Sequence, residues 1–117
     1  MKEKFSKGTQ MVMDTSAVEE MVRRLSEHKG VEGVLISNSE GLPVRSTMDE
    51  DQASECGTLV SSLSRHANVF VQSIIPDDDL QFVRLRSRQR EIVIATNFDK
   101  KNNLYLTVIH NPKPREA

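Results

Sequence analysis

The sequence predicts an α/β domain of the α+β kind, a five-stranded antiparallel sheet carrying one helix on each face. Three observations predict it. Apolar residues recur at helical spacing in two stretches, Val18 to Leu25 and Cys56 to Ile74. Five short runs rich in β-branched residues lie outside them. The order helix, two strands, helix, three strands is joined by short polar connectors, which make neighbouring strands antiparallel. The chain has 117 residues, and domains typically hold about 100 to 150, so a single domain is expected over residues 15–112. Residues 1–14 read as a mobile tail and 113–117 as a short C-terminal one.

Each element has its own signal. Ser16-Ala17-Val18-Glu19 has capping-box spacing. The stripe Val18, Met21, Val22 and Leu25 then predicts a helix from Ala17 to His28, with Gly30 as its left-handed cap. Val31–Ser37 and Leu42–Ser46 read as a hairpin about the turn residues Asn38 to Gly41. Consecutive apolar Val34, Leu35 and Ile36 put the first strand under cover on both faces, and Pro43 puts the second at a sheet edge. Asp49-Glu50-Asp51 suits the positive end of a helix dipole, and the pattern Cys56, Leu59, Val60, Leu63, Ala67, Phe70, Val71, Ile74 continues until Pro76 stops it. Gly57 inside this second helix costs roughly 1 kcal/mol relative to alanine, so it is read as a helix-helix contact point. Leu80–Arg86, Ile92–Thr96 and Leu104–His110 complete the strands, and Pro112 and Pro114 end regular structure.

If the Leu80 strand forms the edge opposite Pro43, its unpaired backbone lies beside Phe82, Val83 and Leu85, apolar on both faces. Such an edge invites a second chain. Antiparallel pairing of two copies about a two-fold axis would cover it and lay the second helices side by side at Gly57.

Composition narrows the function. Lysine and arginine number 16 against 17 acidic residues, and aromatics are 4%, so neither a nucleic acid nor a membrane surface is an expected partner. One cysteine, Cys56, excludes an intrachain disulfide and a two-cysteine zinc site. It belongs to an apolar stripe and reads as a packed residue. Met1 to Gln10 resembles neither a secretion signal nor a membrane span, so a soluble intracellular protein is expected. Asp77-Asp78-Asp79 lacks the spacing of a calcium loop, and His28, His66 and His110 stand in no metal-ligand pattern. With no nucleophile, base and phosphate loop assembled, the sequence predicts neither catalysis nor a cofactor. Alternating Arg84, Arg86, Arg88 and Arg90 would share one face of an extended strand and could grip an acidic partner segment.

Two stretches carry a family likeness. Gly30-Val-Glu-Gly-Val-Leu-Ile-Ser-Asn-Ser-Glu-Gly-Leu-Pro-Val-Arg-Ser-Thr-Met-Asp49 resembles the signature of the roadblock-type dynein light chains. Ile75-Pro-Asp-Asp-Asp-Leu-Gln-Phe-Val-Arg-Leu-Arg86, Ile92-Val-Ile-Ala95 and Leu106-Thr-Val-Ile-His-Asn-Pro112 resemble the family's last three strands, so the likeness runs from about Val18 to Pro112. It implies the roadblock fold, dimerising into a ten-stranded sheet through the third strand and second helix. The implied interface is Gly57, Val60, Leu63, Ser64 and Ala67 on the helix with Leu80, Phe82, Val83, Arg84 and Leu85 on the strand.

By the same resemblance the function is that of a non-catalytic light chain of a dynein microtubule motor, in the cytoplasm and cytoskeleton or a cilium axoneme. Its partners would be a dynein intermediate chain and a twin or another roadblock light chain, without nucleic acid, membrane or cofactor. Val18, Met21, Val22 and Leu25 with Arg84, Arg86 and Arg88 are the expected partner-binding residues. The loop Asn97 to Asn103 and the N-terminal extension depart from the animal cytoplasmic members. The wider roadblock superfamily also includes platforms that regulate small GTPases, which is the alternative function; several carry a further C-terminal helix where this chain has Pro112 and Pro114. A third reading, a small-molecule sensor, would need an apolar pocket with convergent polar groups, which no motif marks.

Overall fold

A computed structural model describes residues 15–113. The expected tail over residues 1–14 lies outside the described residues, as do residues 114–117 of the C-terminal tail. The described elements are helix α1 (Thr15–Ser26), strands β1 (Val31–Asn38) and β2 (Pro43–Ser46), helix α2 (Glu50–Ile74), strands β3 (Phe82–Arg86) and β4 (Glu91–Asp99), a 3-10 turn at Lys100–Asn102, and β5 (Leu104–His110). The strands form one antiparallel sheet in the order β2-β1-β5-β4-β3. Both edges fall where the sequence puts them, Pro43 on one and the third strand on the other.

Local chemistry explains the boundaries. α2 starts at an N-cap, Asp49, whose carboxylate accepts the Gln52 amide at 2.8 Å. It ends where Pro76 withholds a donor, after the Ile75 amide has bonded the Val71 carbonyl. α1 runs Thr15–Ser26 rather than Ala17–His28. Ser16 therefore sits within the first turn and is not the cap of a capping box. Gly30 has the left-handed φ expected of it, +89°, but turns the chain into β1 four residues after the helix ends. β3 starts at Phe82 instead of Leu80, because the Leu80 amide donates to the Asn68 side chain on α2. β4 reaches Asp99, so strand and 3-10 turn occupy most of the polar loop expected from Asn97 to Asn103.

Alternation along the strands sorts side chains onto two faces. Val34 and Ile36 join Val18, Val22 and Leu104 in a buried cluster under α1, with Leu25, Val31, Phe98 and Leu106 packed around it. On the other face, register aligns Leu35, Thr107, Ile94 and Val83 across the sheet, and beside them Gly33, Ile109, Ile92 and Leu85. α2 lies over this second face.

Candidate interaction surface

The position of α2 follows from two glycines. A Cβ on Gly57 would overlap the Gly41 carbonyl oxygen, and one on Gly41 would come within 2.8 Å of the Gly57 carbonyl. The helix therefore touches the β1–β2 turn backbone to backbone. Gly41 also takes φ +96°, open to glycine at little cost, in a turn whose Asn38 side chain accepts the Glu40 and Leu42 amides. The Ser61 hydroxyl donates to the Ser39 carbonyl at 2.8 Å. These contacts draw α2 toward the β1–β2 end of the sheet. Within the chain, the close backbone approach that Gly57 permits is to Gly41 of the β1–β2 turn.

That tilt leaves β3 and part of β4 without a roof. A groove of about 470 Å³ opens between α2 and the sheet there, walled by Cys56, Leu59, Val60 and Leu63 and floored by Leu85, Ile92, Ile94 and Ile109. Ala53, Gly57, Val60, Ser61 and Ser64 form the buried side of α2. The apolar residues of its long stripe go elsewhere: Leu59 is 61% exposed, Phe70 66% and Ile74 62%. At the sheet edge Phe82 is 56% and Leu85 41% exposed, with Val83 half-buried between them. Contiguous exposed apolar surface of this kind is what interaction sites present.

The candidate residues of the sequence separate accordingly. Leu63, Phe82, Val83 and Leu85 lie on or beside the open groove and edge, with Arg84 on the opposite face of β3. Val60 lines the groove too but is buried, and Gly57 and Ser64 are buried against the protein's own sheet and turn. Ala67 is half-buried, and Leu80 is tied to Asn68. Val18 and Val22 are each only 7% exposed in the α1 core, with Leu25 packed against that core and Met21 half-buried. The stripe of α1 is therefore committed to the chain's own sheet and offers no apolar landing surface. Amphipathic spacing marks a buried face without saying what buries it.

The arginines do not share one face. Arg84 and Arg86 do, on the α1 side of β3; Arg88 sits in the hairpin turn closed by the Ser87 amide on the Arg90 carbonyl. Arg90 is bound to Glu32 at 2.7 Å and Arg84 stands 3.4 Å from Glu91.

Burial, then the nearby Glu55 carboxylate, pushes the Cys56 thiol above its usual range, which disfavours the reactive thiolate. Asp77, Asp78 and His28 are exposed, and the His66 ring lies against the Ser62 carbonyl. Among the described residues no group of three His, Cys, Asp or Glu could hold a metal ion, and no helix is long and apolar enough to cross a membrane. Sequence reasoning missed Met48, Gln52, Glu32 and Ile109, which also line the groove. The alternation of Ile92 with Ile94 and of Thr107 with Ile109 was the available signal.

Comparison with known proteins agrees with this architecture. A model of the roadblock/LC7 domain matches residues 17–110. Among solved structures, a roadblock/LC7 domain from Streptomyces avermitilis is 16% identical, with a TM-score of 0.69 over 79% of this chain and 76% of that one. MglB of Myxococcus xanthus is 12% identical, TM-score 0.63, over 79% and 73%. The gliding protein mglB of Thermus thermophilus is 10% identical, TM-score 0.64, over 79% and 69%. At these identities the likeness is one of fold.

Proposed function

The chain belongs to the roadblock/LC7 domain family, and from that premise we propose that it is a non-catalytic platform that works as a dimer and holds other proteins. One observation carries the reading: the β3 edge and the adjoining groove are apolar, continuous and uncovered. A second copy paired antiparallel along β3 would continue the sheet to ten strands and bring its own α2 over the first groove. Light scattering should then give twice the 13.2 kDa chain mass. Val83→Lys should reduce it to one chain, because a charge driven into a buried seam has no partner there. A wild-type monomer at micromolar concentration would refute the reading.

Two partner classes are open to such a platform. One is a small GTPase: MglB, a gliding protein in Thermus thermophilus, recurs among the proteins of the same fold, and the wider roadblock family includes GTPase-regulating dimers. The sequence stretches Gly30–Asp49 and Ile75–Ala95 favour a dynein intermediate chain, with a place in the cytoplasm, on the cytoskeleton or in an axoneme. The comparisons back the first at least as well as the second. Both use a two-fold platform with two equivalent sites, so that a weak second contact becomes intramolecular. Calorimetry with a small GTPase and with an intermediate-chain segment from the same organism separates them. Binding of the GTPase with altered nucleotide turnover selects the first; binding of the segment alone selects the second.

A further inference from the structure

The β3 edge specifies a register as well as an invitation. The Ser87 amide bonds the Arg90 carbonyl at 2.8 Å, and the Thr96 amide bonds the Gln81 carbonyl at 3.0 Å. Bonded pairs alternate in an antiparallel ladder, so between those two anchors Val83 and Leu85 face β4. The amides and carbonyls of Phe82, Arg84 and Arg86 face outward. The row cannot extend toward the N-terminus, because the Leu80 amide is held by Asn68 and its carbonyl by the Thr96 hydroxyl. Three outward residues pair completely with a second copy in one way only, centred on Arg84, with Phe82 opposite the partner's Arg86.

That register has an electrostatic consequence. The β3–β4 hairpin tip that carries Arg88 then comes to the same end of the seam as the partner's segment just before Phe82, which carries Asp77 and Asp78. Arg90 is engaged with its own Glu32. Arg86 and Arg88 are exposed, as are Asp77 and Asp78. Asp79 is held by Lys100 at 3.3 Å, and the Asp78 carboxylate accepts the Asp79 amide at 2.9 Å but, like that of Asp77, meets no cation among the described residues. The two Arg84 side chains would approach at the axis, each with its own Glu91 at 3.4 Å to offset the repulsion. Val83 then faces the partner's Leu85 on the groove side, continuing the apolar floor.

We infer that Arg86 and Arg88 of the β3–β4 hairpin meet Asp77 and Asp78 of a second copy, a self-complementary pair of contacts that sets the strand register and favours pairing of like chains. The inference rests on the dimer reading above and adds what selects the twin. Rim charges of this kind act on specificity and register more than on raw affinity.

A charge exchange tests it. One variant carries Arg86→Glu and Arg88→Glu, the other Asp77→Lys and Asp78→Lys. Each alone sets like charges against each other at both ends of the seam, and its self-association should weaken on the order of tenfold. Mixed, the two have opposite charges at both ends, and the heterodimer should regain wild-type affinity within about threefold, by sedimentation at low salt. Recovery would also show that both variants are folded. If each variant alone self-associates as the wild type does, or if mixing restores nothing, the contact is overturned while the dimer stands. A monomeric wild type would overturn both.

Discussion

The two helix layers of this protein are finished to different degrees. Under α1, valines and leucines fill the space against Val34 and Ile36, and the layer closes within the chain. Under α2 the contact is made by Ala53, Gly57, Val60, Ser61 and Ser64, mostly small side chains, and the buried hydroxyls of Ser37, Ser64 and Thr107 meet no protein partner among the described residues. Small residues bring α2 close to the β1–β2 turn and away from β3, so its large apolar side chains remain outside. Burial by the chain itself stabilises the fold; apolar surface left beside an open strand edge is what the proposed dimer would cover. One domain holds both because its two helices spend their apolar residues differently.

The largest effect should come from breaking the closed layer. Ile36→Ala removes a fully buried side chain and should cost about 2 to 5 kcal/mol in urea unfolding, with no change in the affinity of whatever dimer still folds. A smaller loss, about 1 to 3 kcal/mol, is expected for Gly57→Leu, whose side chain collides with the Gly41 carbonyl. Measuring it again in the Val83→Lys background sharpens the comparison. An equal loss there places the contact inside one chain, whereas a loss confined to the wild-type background would return Gly57 to the interface between helices.

The smallest effect belongs to the exposed rim of α1. Glu20 accepts from Arg23 at 2.7 Å and from Arg24 at 2.9 Å, and these bonds hold its carboxyl below the ordinary 4.5. A carboxyl with a depressed folded value stabilises fully above its unfolded value and loses that contribution as pH falls through the folded one. The contribution should therefore be present above about pH 4.5 and fade below it. Glu20→Gln should flatten this slope, followed by urea midpoint against pH, and should leave self-association unchanged.

Much of this could be read before the structure. The edge position of β2 follows from Pro43, that of β3 is a supposition in line with the family resemblance, and Asp49 and Pro76 bracket α2 by capping and by a missing donor. The partner surface was harder to read. Val18, Met21, Val22 and Leu25 have the same period as Leu59, Leu63, Phe70 and Ile74, yet the first stripe is largely covered by the sheet and the second largely exposed. Both patterns report only that a face is apolar.

By itself the sequence determined the elements, their order, the Pro43 sheet edge and the absence of any recognised catalytic motif. Those depend on local terms: periodicity, turn chemistry, proline's missing donor and the side chains present. Only the tertiary structure decided that Gly57 meets Gly41 of the β1–β2 turn, that α1 is closed and the groove beside α2 open, and that Phe82, Arg84 and Arg86 turn their backbone outward. Each depends on which residues distant in the chain come within a few ångströms of one another, and a periodic pattern carries no information about that distance.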